Sequence, residues 1–348
     1  MIIIDKYFKL CDENKLINNN IISKYNKPKI SIITPVYNQE TKIKRYLRSI
    51  QYQLFKEIEI IIIDDKSTDN SVKIIEDEKL VDKRIILLKN FKRKGSLISK
   101  NIGVYKSRSE YILFVDPDDL LSQDILSYLY NLSKEKKYDF IRFHLYTGNG
   151  GLNIPGISYY LKNEKIYKPN LFYFLYLGFG KLFQLDFYLT NKIIKRKLLI
   201  IVLNTINKYF LEQNMIDCED GMINFMLYKL SNSYYFTKKI GYYYIVNNSS
   251  ITFSLSNFSK RLKSNFIYVK YLFENTKNNN IEKKFVDFVF SDIFSNHPDI
   301  INLLRNLTYD YKFYLSIINE YLKNDFISLR TKNQLNLFKN IIRKKYYL

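Results

Sequence analysis

The chain predicts an α/β fold in which a mostly parallel sheet is flanked by helices and followed by a mainly helical C-terminal region. Three observations carry that expectation. Short, near-continuously apolar runs recur at 30–34, 58–63, 85–88 and 111–115, each separated by enough residues for a helix. Such runs form strands buried on both faces, as in parallel sheets wrapped by crossover helices. From about residue 258 onward the pattern turns amphipathic, Lys-rich and helical to Arg343-Lys344-Lys345.

The elements follow in order. Residues 1–28 read as a polar N-terminal extension, with loops marked by Asn18-Asn19-Asn20 and Lys27-Pro28. Residues 30–34 form a strand ended by Pro35. Ile43, Tyr46, Leu47, Ile50 and Leu54 keep helical spacing over 41–54. Residues 58–63 form a second strand that runs into Asp64-Asp65. Thr68 or Asp69 caps the next helix, which carries Val72, Ile74 and Ile75. A strand at 85–88, a helix over about 96–107 and a strand at 111–115 complete the repeat. Ser122 is a cap for a helix over 122–134, and 138–146 is a further strand. Gly148 to Gly151 mark a boundary. Residues 152–190 are rich in Tyr, Phe and Leu, and 191–199 and 234–246 read as strand or strand-helix pieces. The expected organisation is therefore 1–28, 29–150, 151–255 and 256–348, with the two middle segments as halves of one domain.

Composition narrows the function classes. With 348 residues the chain buries a real core, and 47% hydrophobic and 16% aromatic content exclude general disorder. Two cysteines, Cys11 and Cys218, form no pairing or metal pattern, which fits a reducing compartment. The N-terminus turns polar too early for a signal peptide, and no apolar run approaches about 18 residues. The expected location is cytoplasmic. A formal charge of +21 is scattered, with no zinc-finger, basic-zipper or RNA-recognition signature, so no nucleic-acid partner is expected. That charge still attracts anions such as a nucleoside diphosphate or an anionic membrane surface.

The chemistry concentrates at the ends of the apolar runs. Asp116, Asp118 and Asp119 follow the strand at 111–115, and carboxylates so crowded repel unless a cation or hydrogen-bond donors satisfy them. Pro117 stiffens their turn. In a parallel α/β sheet ligands sit beyond the carboxyl ends of the strands, so residues 35–38, 64–65 and 116–119 are expected on one rim.

Four pieces stand in order: Ile-Ser-Ile-Ile-Thr-Pro-Val-Tyr-Asn at 30–38, Ile-Glu-Ile-Ile-Ile-Ile-Asp-Asp-Lys-Ser-Thr-Asp-Asn-Ser at 58–71, Gly95 to Asn101, and Phe-Val-Asp-Pro-Asp-Asp at 114–119. Together they resemble the nucleotide-sugar-binding half of family-2 glycosyltransferases, which have the GT-A fold, over residues 29–146. The resemblance extends more weakly to Asn191-Lys192, Glu219-Asp220 and 242–252. It implies an inverting transferase that uses a nucleoside-diphosphate sugar, UDP-linked by preference, with Mn²⁺ or Mg²⁺ as cofactor and a glycan, lipid-linked or protein acceptor. Asp118 would ligate the metal and Asp116 would face the metal or ribose. Asp119 is the third member, a ligand or a helix cap. Asp65 would meet the nucleobase edge, with Asp64 structural. Pro35, Val36 and Tyr37 would line the base, while Lys94, Gly95 and Lys100 would approach the phosphates. Where many relatives carry Ala-Arg-Asn, this chain has Ser-Lys-Asn at 99–101, so a bidentate Arg contact is absent.

Asp220, with Glu219 beside it, matches the family's base, which takes the acceptor hydroxyl's proton. The same two acids also suit the positive end of a helix dipole. Tyr242 to Tyr244 and 248–252 resemble a stretch near the active-site mouth. Aromatics within 172–188 suit either a sugar-stacking cleft or a core. His144 fits a core position better than a ligand, and His297 is an outside candidate for the metal. The basic C-terminal helices suit peripheral membrane contact, oligomer contacts or a lid equally well. Two alternatives stay open. One is an inactive GT-A scaffold serving as a basic membrane or nucleic-acid adaptor, and the other is a sugar nucleotidyltransferase, whose usual Gly-rich opening is missing here.

Overall fold

The computed structural model describes residues 27–147, 165–167, 188–213, 219–245, 258–275, 311–323 and 328–346. Its strands are β1 (Ile30–Val36), β2 (Ile58–Asp64), β3 (Ile85–Lys89), β4 (Tyr111–Phe114), β5 (Leu120–Leu121), β6 (Phe140–Thr147), β7 (Lys165–Tyr167), β8 (Lys192–Lys195) and β9 (Ser233–Tyr244). Its helices are α1 (Ile43–Gln51), α2 (Ser71–Val81), α3 (Ser96–Lys106), α4 (Ile125–Lys136), α5 (Arg196–Gln213), α6 (Glu219–Leu230), α7 (Phe258–Asn275), α8 (Tyr311–Leu322) and α9 (Leu329–Tyr346).

The strands lie in the order β3-β2-β1-β4-β8-β6-β9-β5, with β7 beside β9. β3, β2, β1 and β4 are mutually parallel. Beyond β4 the pairing changes, because β8 runs antiparallel to both β4 and β6. The mostly parallel sheet expected from the apolar runs is therefore a mixed one. Its parallel half is the half that alternation predicts; β8, within the 191–199 strand-helix piece, enters from a distant segment and its sequence does not give its direction.

Burial explains why these residues choose strands. Every residue of β2 is buried, and a run of β-branched isoleucines suits a pleated surface packed on both sides. Ile30, Ile32, Ile60, Ile62 and Leu113 pack with Ile43, Tyr46, Leu47 and Ile50 of α1 and with Ile125, Leu126 and Leu129 of α4. Against β1 and β2, α3 approaches at Gly103, where an added Cβ would lie 2.4 Å from Ile33 Cγ2 and 2.9 Å from Ile63 Cδ1. Glycine is needed there for the close approach of helix to sheet.

Helix boundaries differ in one informative place. α4 begins at Ile125, and Ser122 does not cap it; the Ser122 hydroxyl donates to Asp124 Oδ1 at 3.1 Å instead. Residues 120–121 are drawn into β5 by pairing with Tyr242 and Tyr243, which delays the helix.

The chain divides into two compact units. The first comprises Met1–Pro169, Tyr188–Thr205 and Leu227–Asn247; the second comprises Asn170–Phe187, Ile206–Met226 and Asn248–Leu348. Within the second, α7 and α8 meet through Phe266 and Tyr314, whose rings stand edge to face at 4.9 Å. Leu335, Phe338 and Ile342 give α9 its buried face. Among the described residues no helix is long and apolar enough to cross a membrane.

Candidate active site

Strand register brings the predicted loops to one edge. Val36 pairs with Asp64, Asp64 with Lys89, and Ile33 with Phe114, so the chain leaves all four parallel strands on the same side. Tyr37, Asp65, Asn90 and Asp116 therefore belong to one rim, as the rule for parallel sheets requires.

Asp65 organises that rim. It is 4% exposed, and its Oδ1 accepts hydrogen bonds from Asn90 Nδ2 at 2.9 Å and the Lys94 N–H at 2.8 Å. Its Oδ2 accepts the Gly95 N–H at 2.8 Å. Gly95 can turn its amide inward because its φ is +88°, a conformation in which a side chain would be strained. A carboxylate oxygen has two acceptor positions, so these bonds fill Oδ1 and leave Oδ2 with one more. Asp65 is thus first a clamp on residues 90–95, with one acceptor position on Oδ2 left over. Asp64 is structural as expected, accepting the Ser67 N–H at 3.2 Å.

Pro35 and Val36 end β1, and Tyr37 follows, half-buried, with the Arg93 guanidinium 3.9 Å above its ring. That stacking is a cation–π contact. Asn38 adopts φ 51°, and its side chain accepts the Thr68 N–H at 2.8 Å while its own N–H donates to Ser67 Oγ at 3.0 Å. Asp69 accepts the Glu40 N–H at 3.0 Å and the Ser71 N–H at 3.0 Å, so it both ties two loops and serves the start of α2. Burial pushes its carboxyl up, but the Ser71 hydroxyl and then the Glu40 and Ser71 N–H groups outweigh that and hold it below the usual range.

Lys94 exposes its side chain, whereas Lys100 is 3% exposed, with its ammonium 5.8 Å from the Phe114 ring centre. Of the two lysines, only Lys94 is presented on the surface.

The carboxylates after β4 separate by burial. Asp116 and Asp118 are half-buried, while Asp119 is 1% exposed. Asp119 Oδ2 accepts the Tyr242 hydroxyl at 2.6 Å, and its Oδ1 accepts the Ile245 N–H at 2.8 Å. Burial, then the charges of Asp116 and Asp118, push its pKa up to about 8, against the lowering effect of the Tyr242 bond. Asp119 is a buried strut and not a helix cap. Asp118 lies 3.7 Å from Lys42 Nζ, and its backbone carbonyl accepts Arg45 Nη2 at 3.0 Å. Thr34 anchors the base of this turn by donating to the Val115 carbonyl at 2.8 Å while taking the Tyr46 hydroxyl.

Two half-buried carboxylates are a donor set that a hard divalent cation accepts when phosphate and water oxygens fill the rest of its shell. Among the described residues no group of three or more His, Cys, Asp or Glu side chains converges on one point, so those side chains alone do not encage an ion. Asp116 and Asp118 fit a cation that arrives with a diphosphate.

Glu219 and Asp220 open α6 in the second unit, where their charges suit the helix N-terminus. Cys218, His297, residues 172–187 and residues 248–252 lie outside the described residues. His144 is a core residue, edge to face with Phe236 at 5.1 Å; burial, with Arg142 and Lys238 nearby, lowers its pKa to about 4. Sequence reasoning missed Lys42, Arg45, Arg93 and Asn90. The i,i+3 spacing of Lys42 and Arg45, at the end of a helix pointing to the rim, was the one signal available.

Comparisons with known proteins agree with this arrangement. Residues 31–200 match the family model described as glycosyl transferase family 2. Glycosyltransferase GlyA of Streptococcus pneumoniae is 31% identical over 64% of this chain and 31% of its own length. The chain spans about a third to a half of the length of the curated relatives it matches. Staphylococcus aureus TarS 1-349, solved in complex with UDP-GlcNAc, is 17% identical and covers 91% of this chain and 89% of its own, with a TM-score of 0.69. The mannosyltransferase PcManGT of Pyrobaculum calidifontis, solved with GDP-Man and Mn²⁺, is 12% identical over 92% of this chain and 87% of its own, with a TM-score of 0.51. At these identities the two structures show a shared GT-A fold.

Proposed function

Because the chain belongs, through residues 31–200, to glycosyl transferase family 2, we propose that it moves a sugar from a nucleoside-diphosphate sugar to a hydroxyl on a glycan, lipid-linked or protein acceptor. The observation that carries this is the rim itself: Asp65 clamps one loop while Asp116 and Asp118, half-buried, stand at the end of β4 on the same edge. UDP is the favoured nucleotide. The single acceptor position left on Asp65 Oδ2 matches the one N–H of a uracil edge, and Tyr37 offers a ring beside it. Lys94 supplies charge for the phosphates.

Asp116 and Asp118 would hold Mn²⁺ or Mg²⁺, which when bound neutralises the departing diphosphate. Asp220 is assigned as base on the family resemblance, with Glu219 orienting it or the acceptor. It takes the proton of the acceptor hydroxyl as that oxygen bonds to the anomeric carbon and the bond from that carbon to the diphosphate breaks. A one-step displacement of this kind inverts the anomeric configuration.

The test is a donor screen across UDP-, GDP- and dTDP-sugars with Mn²⁺ or Mg²⁺, run beside thermal shifts with UDP plus Mn²⁺. UDP plus metal should raise the melting temperature of the wild type and not of Asp118→Ala. An unshifted wild type, or equal shifts in both, refutes the proposal. Loss of turnover with retained UDP binding in Asp220→Asn would support the assigned base.

A further inference from the structure

The carboxylate turn is not held by its own strand alone. We propose that Tyr242, on β9, is a positioning residue that sets the backbone of the 116–119 turn, so that Asp116 and Asp118 face outward while Asp119 faces in. This rests on the proposed transfer activity for its consequence, although the structural part stands without it.

Tyr242 is fully buried, and its hydroxyl joins two points of the turn. It accepts the Asp116 N–H at 3.2 Å and donates to Asp119 Oδ2 at 2.6 Å. The turn's own closure, from the Asp119 N–H to the Asp116 carbonyl at 3.2 Å, lies between those points. Three residues on, just past the end of β9, the Ile245 N–H donates to the other oxygen of Asp119. The turn is thus gripped at its first amide and its last carboxyl by one strand located more than a hundred positions away in sequence.

β9 is itself fixed in place. Leu120 pairs with Tyr243 and Leu121 with Tyr242, and the Ser122 N–H donates to the Gly241 carbonyl at 2.9 Å. At Gly241 an added Cβ would stand 2.3 Å from Ile125 Cγ1 and 2.9 Å from Phe143 Cδ2, so strand and helix α4 are as close as backbone allows. A phenol so confined cannot follow the turn if the turn moves; the turn must follow it. A buried hydroxyl with both its donor and its acceptor function used on one four-residue turn sets the φ and ψ of that turn more firmly than packing would.

Tyr242→Phe removes one oxygen and keeps the ring. The comparison is with Gly103→Ala, which strains the core on α3 and touches no residue of the turn. Amide hydrogen exchange over 115–121 should quicken about tenfold or more in Tyr242→Phe and stay near the wild-type rate in Gly103→Ala. Binding of UDP plus Mn²⁺, by calorimetry, should weaken at least about fivefold in Tyr242→Phe alone, with donor KM raised more than kcat is lowered. Unchanged exchange in Tyr242→Phe overturns the proposal, as does equal loosening in Gly103→Ala. Faster exchange with unaltered ligand affinity overturns its functional half. If the wild type binds no UDP with Mn²⁺, the transfer activity fails, and the exchange rates alone decide the positioning.

Discussion

Lys42 Nζ lies 3.7 Å from Asp118 Oδ2, so a lysine ammonium occupies the electrostatic place beside the carboxylate that a metal ion would contest. The contact is long and partly exposed, with side chains 25% and 27% accessible, which makes it a weak ion pair in water. Arg45 holds the same residue through its carbonyl and leaves the carboxylate oxygens to Lys42. Removing the ammonium should let a divalent cation approach Asp118 without displacing a competitor. In Lys42→Met the nucleotide-free protein should bind Mn²⁺ roughly threefold more tightly at low salt, with the gain fading as salt screens the pair. Titration followed by Mn²⁺ electron paramagnetic resonance at two ionic strengths measures it, and tighter binding that ignores salt would contradict the electrostatic cause.

Asp65 accepts three hydrogen bonds, two of them from main-chain N–H groups. Asp65→Asn replaces one acceptor with an NH₂ that faces either Gly95 N or the Lys94 and Asn90 donors. The mismatch should cost about 1 to 3 kcal/mol of stability. UDP affinity should fall about tenfold or more, because the one acceptor position left for a base edge is lost with the loop's geometry. Denaturant unfolding and calorimetry read the two effects separately.

Gly95 combines φ +88° with ψ 166°, a region that side-chain-bearing residues reach only under strain. No atom lies within 4 Å of where a Cβ would stand, so the penalty of Gly95→Ala is conformational and not steric. It should destabilise by roughly 1 to 3 kcal/mol or release the Gly95 N–H from Asp65. Faster exchange of the 94 and 95 amides would distinguish release from simple destabilisation.

His144 gives the fold an acid-sensitive point. Its pKa in the folded chain is about 4, below the ordinary value of 6.5, because burial and the cations of Arg142 and Lys238 disfavour the imidazolium. Between those values the unfolded chain binds the proton more readily, so stability is intact above about pH 6.5 and is lost as pH falls toward 4. The full span corresponds to on the order of 3 kcal/mol. Urea midpoints of wild type and His144→Phe should differ in slope over that window, the variant losing less on acidification. Parallel slopes would remove His144 as the cause.

Much of this was legible from residue order. The isoleucine runs announced β1 and β2, and the acids after them fell on one rim because parallel strands end together. The division of labour among Asp116, Asp118 and Asp119 was not legible, since three identical side chains in one turn look alike until Tyr242 and Ile245 arrive from β9 to claim one of them. The burial of Lys100 was also hidden, since its place near the Phe114 ring depends on how α3 packs on the sheet. Arg93 over Tyr37 joins two loops whose meeting depends on the Asp65 clamp, a relation that no local pattern encodes.

That clamp has a consequence for how such a site can diversify. Because Asp65 grips main-chain amides of the 90–95 segment, the side chains of Phe91, Lys92 and Lys94 take no part in that clamp, and Phe91 stands almost wholly in solvent. Those three positions can be rewritten by mutation while the Asp65 clamp keeps the loop's shape, which makes them a natural place for ligand preference to drift between lineages and for a designer to begin retargeting it.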